Sequence, residues 1–258
     1  MSDTALEYLV GSTTRPATLT ALRDHGRLSI RALEDRASVS RRTLKRTLGT
    51  MESRGWVQSV DGTYELTSLG VAILSAYERC RENERIAERF RPFLERTPAS
   101  AFDLGIGELN GSNLVDPTGD PTAPTDRLLE LRTDASRIRE CAPFLLRDSV
   151  SQFVERATAE RSPPSVTLVL ADGRPTPEQY TEAYCEQFET LLDAPSVDVY
   201  ANSDGVRIPF GLADGHAFVG SMEPDGMPHT LIDGEQSALV DWADRRFEAA
   251  LAAATPLE

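Results

Sequence analysis

Residues 38–56 read SVSRRTLKRTLGTMESRGW, and the fold turns on how this stretch divides between two faces. Placed on a helix capped by Ser40 and closed by Gly55, it sets Leu44, Leu48 and Met51 along one side. Ser40, Arg41, Arg42 and Thr43 occupy the first turn, with Lys45 and Arg46 on the next. One face is thus built to dock on a core and the other to meet negative charge.

The flanks define the unit that carries this helix. TALEYLVGS and PATLTALRDHG space their apolar residues as helices do, with Pro16 suited to a first turn and Gly26 to a stop. SIRALEDRA follows, with Ser29 as N-cap and Ile30, Leu33 and Ala37 on one face. WVQSVDGTYELT then alternates as strands do around Asp61-Gly62, a hairpin signal. Helices followed by a β-hairpin are the order of a winged helix-turn-helix, whose recognition helix enters the major groove. The candidate DNA contacts are Ser40, Arg41, Arg42, Thr43, Lys45 and Arg46 on the helix. Ser59, Thr63 and Tyr64, with Gln58, are their counterparts on the wing.

The charge distribution agrees with that division. The 258-residue chain has 27 basic and 41 acidic residues, a net charge of -14. Residues 1–70 hold ten basic and eight acidic residues, so the remaining 188 carry -16. Lys45 is the only lysine of the chain. An acidic, lysine-poor surface of this kind resembles that of proteins from salt-loving archaea, in which salt screens self-repulsion.

Three parts are expected: a winged helix-turn-helix at 1–70, a linker or dimerisation helix at 71–97, and an α/β sensor or oligomerisation domain at 98–258. The linker reads as one charged helix over 69–96, striped by Ile73, Tyr77, Cys80, Ala87, Phe90 and Leu94. Residues 105–125 read as turns. From Asp126 onward helices alternate with strands, SVTLVLA being apolar throughout, and antiparallel strands are added towards the end.

Residues 20–70 resemble archaeal winged-helix regulators in SRRTLKRTLGTMESRGWV and DGTYELTSLG. RIRECAPFLLRDSV, RIPFGLADGHAFVGS and LVDWADRRFEAAL are similar to the sensor half of the methanogenesis-regulator (FilR-type) family. The resemblance implies a dimeric transcription regulator whose C-terminal domain senses a ligand or signal and is related in architecture to phospholipase-D-like domains, without their catalysis.

Enzyme chemistry finds little footing. Phosphodiesterase activity of the phospholipase-D kind needs His-x-Lys pairs, and no histidine stands two residues before Lys45. Gly105-Ile-Gly107 lacks the Lys-Ser/Thr of a phosphate loop, and no serine sits in a Gly-x-Ser-x-Gly elbow. The three cysteines and three histidines are scattered, which gives no metal spacing and reads as buried thiols. No catalytic residue, cofactor or metal is expected. Tyr200, Arg207, His216 and Glu223 are the candidates for an effector pocket. The expectation is a cytoplasmic homodimer that binds double-stranded DNA, makes no membrane contact and responds to a small-molecule effector. The alternative is an architectural DNA-binding protein whose C-terminal domain only oligomerises.

Overall fold

The computed structural model describes residues 4–37, 39–159, 163–171, 173–202, 206–224 and 226–257; Ser38 of the opening stretch lies outside them. The chain divides into two compact units, residues 1–85 and 86–258. The boundary falls inside a helix, so the segment read as a separate linker at 71–97 is shared between the units.

The first unit begins with α1 (Ala5–Val10), whose N-cap Thr4 and Glu7 form a reciprocal capping box. Next come α2 (Thr14–His25), the two-residue strand β1 (Leu28–Ser29), α3 (Ile30–Ala37) and α4 (Arg41–Ser53). The hairpin β2 (Val57–Val60) and β3 (Thr63–Leu66) turns at Asp61 and Gly62, both at positive φ as a tight hairpin requires. β3 lies between β1 and β2, giving a three-stranded antiparallel sheet. The core gathers Leu9, Leu19, Leu22, Leu33, Leu44, Leu48, Met51 and Trp56. Arg54 stacks over the Tyr8 and Trp56 rings, 4.6 and 5.3 Å from their centroids, so this basic residue of the opening stretch serves the core instead of the charged face.

The hairpin hands over to α5 (Ser68–Arg89) through close backbone contacts. Thr67 donates its N–H to the Trp56 carbonyl at 3.0 Å and its hydroxyl to that of Gly55 at 2.6 Å. A Cβ at Gly70 would stand 2.0 Å from the Trp56 carbonyl oxygen, so only glycine fits there. The helix does not run unbroken to residue 96: it stops at Arg89, and the short α6 (Arg91–Leu94) follows with Pro92 in its first turn. Pro92 has no N–H to continue the ladder. Of the expected stripe Phe90 is buried and Ile73, Tyr77 and Leu94 are half-buried, whereas Cys80 is exposed and Leu74 and Ile86 are buried in addition.

The second unit is built on an eight-stranded sheet. Its strands are β4 (Asn113–Val115), β5 (Arg137–Ala142), β6 (Ser165–Leu170), β7 (Val197–Ala201), β8 (Phe210–Ala213), β9 (His216–Met222), β10 (Pro228–Gly234) and β11 (Thr255–Pro256), in the order β11-β7-β6-β5-β8-β9-β10-β4. β5, β6 and β7 are parallel and every other pairing is antiparallel. The region read as turns at 105–125 therefore supplies an edge strand, preceded by a 3-10 turn at Ile106–Leu109.

The remaining helices are α7 (Ala123–Thr133), α8 (Arg147–Ala157), α9 (Glu182–Leu192) and α10 (Ser237–Ala252). Phe153 and Phe188, from α8 and α9, pack with Ile138, Val166 and Leu168 in one core; Trp242 and Phe247, from α10, pack with Cys141, Val219 and Ile232 in another. Period-2 alternation along β5 decides which residue serves which face. Of the three cysteines only Cys141 is buried, and burial pushes its thiol up. Among the described residues no helix is long and apolar enough to cross a membrane.

Two substitutions probe the two units. Leu48→Ala should cost about 2–5 kcal/mol, because a fully buried side chain is lost between packed helices; denaturant unfolding of the N-terminal unit reads it. Asp233 on β10 is buried, which opposes its charge, yet Arg127, His216 and Asn113 outweigh burial and hold its carboxyl below the ordinary range. A group lowered on folding stabilises at neutral pH and loses that contribution as acid protonates it. Asp233→Asn should be less stable at neutral pH and show a flatter acid limb in near-UV circular dichroism.

Candidate nucleic-acid interface and ligand-binding residues

The charged face of α4 is assembled by the cap and the buried stripe together. Ser40 has extended backbone geometry, and its hydroxyl accepts the Thr43 N–H at 3.3 Å and meets the Thr43 hydroxyl at 3.0 Å. Both hydroxyls are thereby held at the helix entrance. Leu44, Leu48 and Met51 are fully buried and fix the rotation of α4 about its axis. Arg41, Arg42, Lys45 and Arg46 are exposed as a consequence.

These four cations have no carboxylate partner among the described residues, although other arginines of the same unit do. Arg23 binds Glu78 and Asp24, Arg27 binds Glu65, and Arg81 and Arg85 pair with Glu84 and Glu82. No acidic residue lies in α4 before Glu52. The helix dipole adds positive potential at the same end. The face can therefore meet phosphate without first breaking an internal ion pair.

The wing is a poorer candidate than the sequence suggests. Ser59 is exposed, but Thr63 spends its hydroxyl on the Val60 carbonyl at 2.6 Å, and the Tyr64 ring packs against the core. Gln58 donates to Glu65 Oε1 at 2.6 Å. The hairpin from Val57 to Leu66 has no basic residue and carries Asp61 at its tip. That acidic tip disfavours a phosphate contact.

Tyr200, Arg207, His216 and Glu223 do not form one pocket. His216 opens β9 and binds Asp233 and Glu235, at 2.8 and 3.4 Å, while Glu223 follows the far end of that seven-residue strand and pairs with Arg96 and His229. A strand of that length separates them by roughly 20 Å. Tyr200 lies on β7 opposite Pro256, half-buried against the α10 core. Arg207 is exposed beside an open groove of about 480 Å³ that Asn202 and Arg246 also line. Strand ends placed these residues near turns in sequence, but turns at opposite ends of one strand do not meet.

The polar cluster that does converge went unread in the sequence. Arg132 of α7 and Glu140 of β5 form a buried ion pair with distances of 2.5 and 2.6 Å, and Arg132 Nη1 donates to the Ser149 hydroxyl of α8 at 2.9 Å. Arg132 also stacks on Phe153, 4.7 Å from the ring centroid. Burial pushes the Glu140 carboxyl up, while Arg132 pulls it down. Among the described residues no three histidine, cysteine or carboxylate side chains are grouped to hold a metal ion.

Comparison with known proteins agrees with this division. Residues 3–89 match the family described as HVO_A0261 N-terminal domain, and residues 121–253 match the family described as methanogenesis regulatory protein FilR1, middle domain. No curated protein matches the chain. Among solved structures it is similar to TrmBL2, described as an archaeal chromatin protein with a novel mode of DNA binding, at 14% identity and TM-score 0.39, covering 98% of this chain and 99% of that one. It is also similar to reduced MarR from E. coli, at 23% identity and TM-score 0.31, covering 34% of this chain and 66% of that one. These likenesses are too distant to bear on function. The FilR1 middle domain takes up more than half of the chain, and the protein belongs to the family of the methanogenesis regulatory protein FilR1 middle domain.

Proposed function

We propose that the protein is a cytoplasmic, sequence-specific transcription regulator that binds double-stranded DNA through α4 and acts as a homodimer. The observation that carries this reading is α4 itself: four exposed cations without carboxylate partners among the described residues, on a helix whose opposite side is fully buried. Arginines at the helix entrance suit bidentate contact with guanine, and Lys45 suits phosphate. Exposed Leu6 and Val10 on α1, with Leu69 and Val71 on α5, support self-association of the first unit. A dimer would present two α4 helices to half-sites about one helical turn apart.

In this reading the C-terminal unit binds an effector and does no chemistry. Effector binding alters DNA affinity only to the extent that it differs between two states of the protein. The sequence supports a non-catalytic domain, since the chain has neither a His-x-Lys pair nor a nucleophile elbow.

Arg41→Ala and Arg42→Ala should each cost about 1–3 kcal/mol on a specific site selected from genomic fragments. Lys45→Ala should weaken binding to all sequences and lower the salt slope by about one. Unchanged binding in all three variants would remove α4 from the interface. The wing should behave differently: Thr63→Ala should leave DNA affinity within experimental error, and Asp61→Asn should raise it slightly. Sedimentation of the free protein and of its DNA complex tests the dimer.

A further inference from the structure

Where β5 ends, the sheet changes from parallel pairing with β6 to antiparallel pairing with β8. Crevices outside the carboxyl ends of sheet strands are places where α/β proteins take ligands. Here that place holds a cavity of about 50 Å³, bounded by the first turns of α7 and α8, the end of β5, and the β9–β10 hairpin.

Its lining has a marked chemical bias. Leu128, Phe144, Leu146, Pro209, Met222 and Leu231 make most of the wall apolar. The polar part consists of Arg132, Glu140 and Ser149 and of Ser221 and Thr230, whose hydroxyls bind each other, all almost completely buried, with the half-buried Thr125 beside them. Ser149 Oγ accepts from Arg132, which leaves its own proton to donate elsewhere. Arg132 has no partner for its Nε–H. α8 runs for 11 residues, and its N-cap Leu146 offers no side-chain cap for the N–H groups of the first turn. Buried polar atoms without partners are uncommon, and each asks for an explanation.

We infer that this cavity is the effector site and that its ligand is a short-chain monocarboxylate of about two to four carbons. The unused groups are donors, so the ligand must bring acceptor oxygens. Glu140 already neutralises Arg132 and no second cation lines the cavity, so the positive potential left is the partial charge of the α8 N-terminus, which offsets a monoanion but not a dianion such as phosphate. The apolar wall accepts an alkyl tail. The volume admits on the order of four to six non-hydrogen atoms, the size of acetate to butyrate. This site deepens the sensor reading and rests on it for its purpose, though binding can be read without DNA.

The test is calorimetric titration of the intact chain with acetate, propionate and butyrate, against inorganic phosphate and chloride at equal ionic strength. Saturable heat should appear with the carboxylates alone. Ser149→Ala should weaken affinity about tenfold through loss of one hydrogen bond to a charged group. Leu128→Trp, at a half-buried position, should fill the cavity and abolish binding. Far-UV circular dichroism and the DNA affinity of the ligand-free variants confirm that both remain folded. Equal heats from phosphate or chloride, absence of saturation, or undiminished carboxylate binding by Leu128→Trp would each overturn the assignment. Binding that is lost in the variants but leaves wild-type DNA affinity unchanged would sustain the site and overturn the sensor reading.

Discussion

The buried pair of Arg132 and Glu140 governs the architecture of the C-terminal unit. Two charges taken from water need excellent geometry to avoid a net penalty, and removal of either partner leaves an uncompensated charge inside. The pair therefore ties α7 to β5 at one spacing, and Ser149 draws α8 into the same arrangement. Arg156 adds a further tie by donating from α8 to the carbonyls of Arg132 and Ala135. With α7 and α8 held on one face, that side of the sheet carries a polar centre within an otherwise apolar layer. The opposite face has no such centre: Phe102, Phe210 and Trp242 meet there edge to face.

In the N-terminal unit the organising constraint is different. The core is small, and its order comes from one helix shared between two requirements. The buried residues of α4 are the hydrophobes Leu44, Leu48 and Met51 with the uncharged Thr47, so no carboxylate on the inner face competes for the cations of the outer one. Neighbouring arginines are mostly paired or stacked, as Arg54 is on Tyr8 and Trp56, which concentrates available positive charge at the entrance of a single helix. The acidic remainder of the chain repels DNA elsewhere, which sharpens rather than opposes this localisation.

Much of the fold was legible because local signals agreed with the final packing. Ser40 does cap α4, Leu44, Leu48 and Met51 are its buried stripe, and Asp61-Gly62 makes the turn. Short elements were not legible: β1, β4 and β11 have two or three residues each, too few to show a period, and they exist because a longer neighbour offers an edge. The break near Pro92 was masked by an apolar spacing that continues through Phe90 and Leu94. Arg132 and Glu140 looked like surface charges on a helix and a strand, and only the fold makes them neighbours in the interior. The wing residues stand differently: in sequence Thr63 and Tyr64 resemble backbone-contacting residues, while in the structure each has a local partner.

The contact between Gly70 and the Trp56 carbonyl has a mechanical consequence. Wing exit and connecting helix touch backbone to backbone, with no side chain between them to deform, so they turn as one piece. A twist of α5 about its axis is delivered first to Trp56, whose ring lies in the same cluster as Met51 and Tyr8, and only then to α4. Any torque carried by α5 thus enters the N-terminal unit through its core. The wing is no independent finger, and a mutation that adds even one carbon at residue 70 would prise this joint apart.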